Sequence, residues 1–214
     1  MKELKDIDKS YCNSIRQIST ALQESFIEMQ DAYSFDLEKH EVTEAVLERM
    51  KAYYQTQSVI KHFLGKRYAT AGADFFVETT LFFIKLFLQK QGGHLQAYSE
   101  KQIMARRGAI RPDISIWENN EVVAIIECKT QLGWNRHGWE NDLINREVKL
   151  KNEFPNANCF LLVMTGLNWG GFGEHDKLGI KYFCLLNDIW PNNYENMSQI
   201  LTPIEKLLKA IIEK

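Results

Sequence analysis

The chain has 214 residues, 45% apolar and 25% charged, with 26 basic against 28 acidic side chains and a formal net charge of −2. That length and apolar content suit one domain, or one domain with an appendage, and only four prolines and twelve glycines argue against disorder and collagen-like repeats. The opening MKELKDIDKS has no signal-peptide core, and the greasiest run, 75–88, is short and carries Glu78 and Lys85, so the expectation is a cytoplasmic protein with no membrane segment.

Apolar residues recur at helical spacing at Ile15, Ile18, Leu22, Phe26 and Met29, then at Val42, Val46, Met50 and Tyr54, which predicts two helices separated by a break within 31–41. A third helix, capped by Thr70 or Asp74, runs to about Gln91 and stops at Gly92-Gly93. It is apolar nearly all round, as expected of a helix buried between layers. The period then changes to strands at 94–98, 110–117 and 121–129, a helix at 139–154, a strand at 159–165, a Gly-rich loop at 166–176, a strand at 180–186 and a last amphipathic helix at 198–213. This order predicts an α/β domain over 67–214 with a helical N-terminal extension over 1–66 that serves packing or dimerisation.

Cys12, Cys128, Cys159 and Cys184 form no CxxC pair, and the five histidines form no HExxH or HxxxH pair, which argues against zinc chemistry. The cysteines read as reduced thiols, three of them core fillers. Charge is unevenly spread: residues 61–151 hold 14 basic and 10 acidic side chains, between two acidic ends. A basic middle is a possible footprint for nucleic acid only if chemistry lies in the same segment.

Chemistry does lie there. Pro112-Asp113 is followed after thirteen residues by Glu127-Cys128-Lys129. In a strand, Glu127 and Lys129 share one face while Cys128 points to the other, with Ile114, Ile116, Ala124 and Ile126. Aligning those apolar residues across a hairpin puts Asp113 opposite Glu127, two like charges about 5 Å apart. Such a pair calls for a cation, and two carboxylates beside a lysine suit a hard divalent ion. Removing Asp113 is expected to relieve the repulsion. A two-residue Asn119-Asn120 turn with an unbroken ladder would put the two acids on opposite faces, so an odd loop or a compensating bulge is required.

These residues resemble the PD-(D/E)xK nuclease superfamily, which includes many type II restriction enzymes. The resemblance covers about 74–165 and implies a restriction-endonuclease-like αβββαβ core, a mixed central sheet flanked by helices. It also implies that Asp113, Glu127 and the backbone of Cys128 hold Mg²⁺ or Mn²⁺, that Lys129 serves the attacking water, and that Glu78 of the preceding helix adds a further carboxylate. The activity implied is cleavage of double-stranded DNA, with a homodimer as the form that reaches both strands. A structure-specific repair nuclease and a non-catalytic DNA-binding module are the alternatives.

Lys101, Arg106, Arg107 and Arg111 lead into Asp113, and are read either as phosphate contacts or as a solvated loop. Gln131, Asn135, Arg136 and His137 follow Lys129 at the expected mouth of the site, as DNA contacts or surface decoration. Arg146 shares a helical stripe with Trp139, Leu143 and Leu150, and reads first as an ion-pair partner and second as a phosphate ligand. The Gly-rich loop lacks a P-loop ending, and reads as a connector or a DNA-recognition loop carrying Trp169 and Phe172.

Overall fold

A computed structural model of the chain describes residues 3–132, 138–167 and 175–213. They fall into two units, Met1–Phe35 and Asp36–Lys214. The first is a single helix, α1 (Leu4–Ala32), with no buried residue. The division lies well before the expected boundary at residue 66, because α2 (Glu41–Phe63) belongs to the second unit. It buries Val42, Val46, Leu47, Met50 and Tyr54 there, and packs on α3 (Ala73–Lys90) and α5 (Ile204–Ile212).

A buried carboxylate joins α2 to α5. Glu205 accepts from the N–H groups of Val42 and Thr43 at 2.8 and 3.2 Å, and from the Thr43 hydroxyl at 2.5 Å. These are otherwise orphaned donors of a helix start, supplied here with an acceptor from 163 and 162 residues later in the chain. The expected start of the next helix needs correction. Gly72, not Thr70 or Asp74, precedes α3, and a Cβ there would lie 2.7 Å from Tyr54 Oη. Close approach to α2 therefore decides the start. α3 buries Phe76, Phe82, Phe83, Ile84, Leu86, Phe87 and Leu88 between α2 and the sheet, as its all-round apolar character requires.

The sheet has five strands in the order β1 (Leu95–Ser99), β2 (Ile114–Glu118), β3 (Glu121–Lys129), β4 (Asn158–Thr165) and β5 (Tyr182–Leu186). β1, β2 and β3 are antiparallel neighbours, while β3, β4 and β5 run parallel, with α4 (Trp139–Glu153) as the crossover from β3 to β4. This is a mixed α/β architecture with helices against a central sheet. β2 starts at Ile114 rather than 110, since Pro112 has no N–H to give a ladder. α5 is shorter than 198–213, because Pro203 stands at its start and 197–199 forms a separate 3₁₀ turn.

Alternation along β3 sets the two faces. Ile125 packs with Trp139, Leu143 and Leu150 of α4 and with Cys159, Leu161 and Val163 of β4. Ala124, Ile126 and Cys128 project to the opposite face, the side of α3. Cys128, Cys159 and Cys184 are buried free thiols, and burial pushes Cys159 and Cys184 up to about 12. Among the described residues no helix is long and apolar enough to cross a membrane.

Candidate functional site

The β2–β3 hairpin places the acids. Asn119 and Asn120 form a two-residue turn with φ of 49° and 68°, the left-handed pair that a tight hairpin needs and that asparagine tolerates. Near the turn Glu118 faces Glu121 and Trp117 faces Val122. Beyond it the register shifts, so that Ile116 faces Ala124 and Ile114 faces Ile126. Val123 is the extra residue of a β-bulge, and this is the compensation that the hydrophobic pattern demanded. Continued by one residue, the shifted register brings Asp113 to Glu127.

Asp113 Oδ2 accepts from the Cys128 N–H at 2.7 Å and lies 3.4 Å from Lys129 Nζ. The same ammonium is 3.9 Å from Glu127 Oε2. Arg146 Nη1, from α4, donates to Glu127 Oε1 at 2.7 Å. Glu127 is only 5% exposed. Burial holds its carboxyl above the usual carboxylate range; Arg146 and Lys129 oppose that rise, and the charge of Asp113 adds to it. Two acids thus share one lysine, and a second cation covers the more buried of them.

A cleft of about 560 Å³ opens over this group, lined in part by Glu127, Lys129, Arg111, Arg146, Lys149 and Trp139. Arg111 and Lys149 are exposed in that lining, as is Asp142, while Glu127 is buried. Asp142, Asn145 and Lys149 were not singled out from sequence. Their signal is the polar edge of the α4 stripe, three and four residues apart beside Leu143 and Leu150.

The remaining predicted residues separate into groups. Glu78 is exposed on α3, and its charge acts on Arg49 of α2. It is not a third carboxylate of this site: α3 lies against the face that carries Ile126 and Cys128, whereas Glu127 and Lys129 face the other way. Among the described residues there is no group of three or more His, Cys, Asp or Glu placed to hold a metal ion. Cys128 offers its backbone N–H to Asp113 and buries its thiol. Arg106 is ion-paired with Glu153 of α4, and Arg107 and Gln131 are exposed. Asn135, Arg136, His137, Trp169 and Phe172 lie outside the described residues.

No protein-family model matches the chain, and no curated protein sequence is similar to it.

Two carboxylates are a sufficient protein share for magnesium, which is often held by one or two acids, with water and substrate phosphate completing its shell. Asp113 and Glu127 offer hard carboxylate oxygens of the kind such an ion takes, and Glu127 is desolvated. The cations already present at the pair are its competitors.

Proposed function

We propose that the protein is a Mg²⁺- or Mn²⁺-dependent DNA endonuclease with a restriction-endonuclease-like core. The observation that carries this reading is the convergence of Asp113 and Glu127 on Lys129, beside a cleft that Glu127 and Lys129 line together with the exposed cations Arg111 and Lys149. Asp113 and Glu127 would hold the ion, which when bound would stabilise charge on the phosphate and make a water more acidic. Lys129 would orient that water by donating a hydrogen bond from its ammonium, from its place between the two acids. Arg111 and Lys149 at the rim draw a phosphodiester backbone into the cleft. Arg146 fixes the rotamer of Glu127 and balances its charge in the desolvated site.

One observation favours a second reading. Lys129 and Arg146 already neutralise the pair without a metal, which a DNA-binding module that does not cut would also need. Incubating the purified chain with supercoiled plasmid, and separately with a branched duplex, distinguishes them. Nicking or linearisation with Mg²⁺ or Mn²⁺, abolished by EDTA and by Lys129→Ala, is the expected result; preference for the branched duplex would assign a repair role. DNA retention in EDTA with no cleavage under any divalent ion would establish the binding module instead.

A further inference from the structure

α1 is 29 residues long and buries none of them. Leu4, Ile7, Tyr11, Ile15, Ile18 and Ile27 are each more than half exposed, and Leu22 and Met29 are only partly covered. Most of these residues form a seam. Leu4, Tyr11 and Ile18 recur every seven residues, Ile15, Leu22 and Met29 form a second series with the same interval, and the two interleave three and four apart. That is the a/d pattern of a coiled coil, in which Asp8 and Ser25 take the two polar seam positions. A helix of this length gains from burying such a stripe against another apolar face.

We infer that α1 is a self-association element that pairs antiparallel with α1 of a second copy of this chain. The seam decides the orientation. Antiparallel helices pack a positions on d positions, and one register satisfies every layer: Ile15 on the partner's Ile18, Leu22 on the partner's Tyr11, and Met29 on the partner's Leu4. The same register sets Asp8 against the partner's Ser25, a carboxylate beside a hydroxyl donor. A parallel pair would instead stack each seam residue on its own copy, and so bury Asp8 against a second carboxylate.

Charge points the same way. The cations of α1, Lys5, Lys9 and Arg16, all lie in its first half, whereas Glu24, Glu28 and Asp31 occupy its second half with no cation among them. Antiparallel pairing lays each acidic half along the half that holds the cations. Parallel pairing would set two acidic halves side by side. The polar layer and the charge asymmetry therefore act as the elements that reject the parallel alternative. This inference is independent of the nuclease reading, since it uses no residue of the cleft.

The test uses the full chain. Sedimentation or light scattering is expected to give twice the mass of the 25.0 kDa chain for the wild type and the single-chain mass for Ile15→Asp combined with Ile18→Asp. All five tryptophans lie outside α1, so near-ultraviolet dichroism reports whether the sheet-bearing unit stays folded in that variant. Orientation is read in a Cys12→Ser background by oxidising Tyr11→Cys and Leu22→Cys chains, separately and mixed. Disulfide-linked dimers in the mixture alone establish the antiparallel register. Efficient cross-linking of either variant by itself overturns it in favour of a parallel pair. A wild type that stays monomeric at every concentration, or a dimer indifferent to the paired Asp substitutions, overturns self-association through α1 altogether.

Discussion

At the scale of single residues, Asp113 has a structural partner as well as a chemical one. Its Oδ2 takes the N–H of Cys128 at 2.7 Å and sits 3.4 Å from Lys129. Pattern alone predicts that removing Asp113 relieves repulsion with Glu127. The geometry predicts the opposite sign, because the lost acceptor orphans an N–H at a buried residue. Asp113→Ala is expected to lower stability by about 1–2 kcal/mol in EDTA, and Asp113→Asn by less, since the amide oxygen still accepts. Urea midpoints at neutral pH decide it; an alanine variant more stable than wild type would mean that charge repulsion outweighs the hydrogen bond. Both variants are expected to lose cleavage, and this separates the chemical role from the stability effect.

At the scale of elements, two carboxylates hold helices in place. Glu205 serves three donors at the start of α2, and all of them are left without an acceptor in Glu205→Ala. The expected loss is about 2–4 kcal/mol, visible as a lower denaturant midpoint with an unchanged slope. Glu147 joins α4 to the approach of β5 through Lys181 at 2.6 Å, with Lys151 a turn away at 3.3 Å. Burial raises its carboxyl, but the hydrogen bonds and charges of Lys181 and then Lys151 outweigh burial and hold it below its ordinary value. A depressed folded pKa means stability that is present above the unfolded value and lost as pH falls through the folded one. Glu147→Gln should therefore be less stable than wild type by roughly 1 kcal/mol near neutral pH, and the gap should close in strong acid. Denaturation curves at the two pH values check this; a gap that persists in acid would assign it to packing rather than charge.

At the scale of the whole molecule, the cleft sets the Glu127 carboxylate near the exposed cations Arg111 and Lys149, so metal and DNA are expected to help each other bind. Without a divalent ion Lys129 and Arg146 only balance the two carboxylates; Ca²⁺ adds net positive charge there and should raise DNA affinity, which then falls steeply with salt. Arg111 lines the cleft whereas Arg106 is held by Glu153. Arg111→Ala is therefore expected to flatten the salt slope by about one unit, and Arg106→Ala by less. Fluorescence anisotropy over a salt series in Ca²⁺ measures both. Equal effects would show that Arg106 leaves Glu153 to reach the backbone.

Much of this was legible in one dimension. Periodicity determined the element order and the break before α2, because both follow from local spacing of apolar residues. It also determined that the β2–β3 hairpin needed an irregularity, since alternation obliges Ile114, Ile116, Ala124 and Ile126 to share a face. Spacing alone placed Asp113, Glu127 and Lys129 together, because a hairpin is a local structure. Three matters were decided only by tertiary packing. The bulge settled at Val123, Gly72 began α3 because Tyr54 approaches so closely, and Glu205 came to α2 from the far end of the chain. The helix phase of Glu78 gave no hint that α3 covers the other face of the sheet, and the α4 stripe marked Arg146 as an ion-pair partner without showing that its acid is Glu127. These contacts join residues far apart in the chain, and such closures depend on how layers stack rather than on any local period.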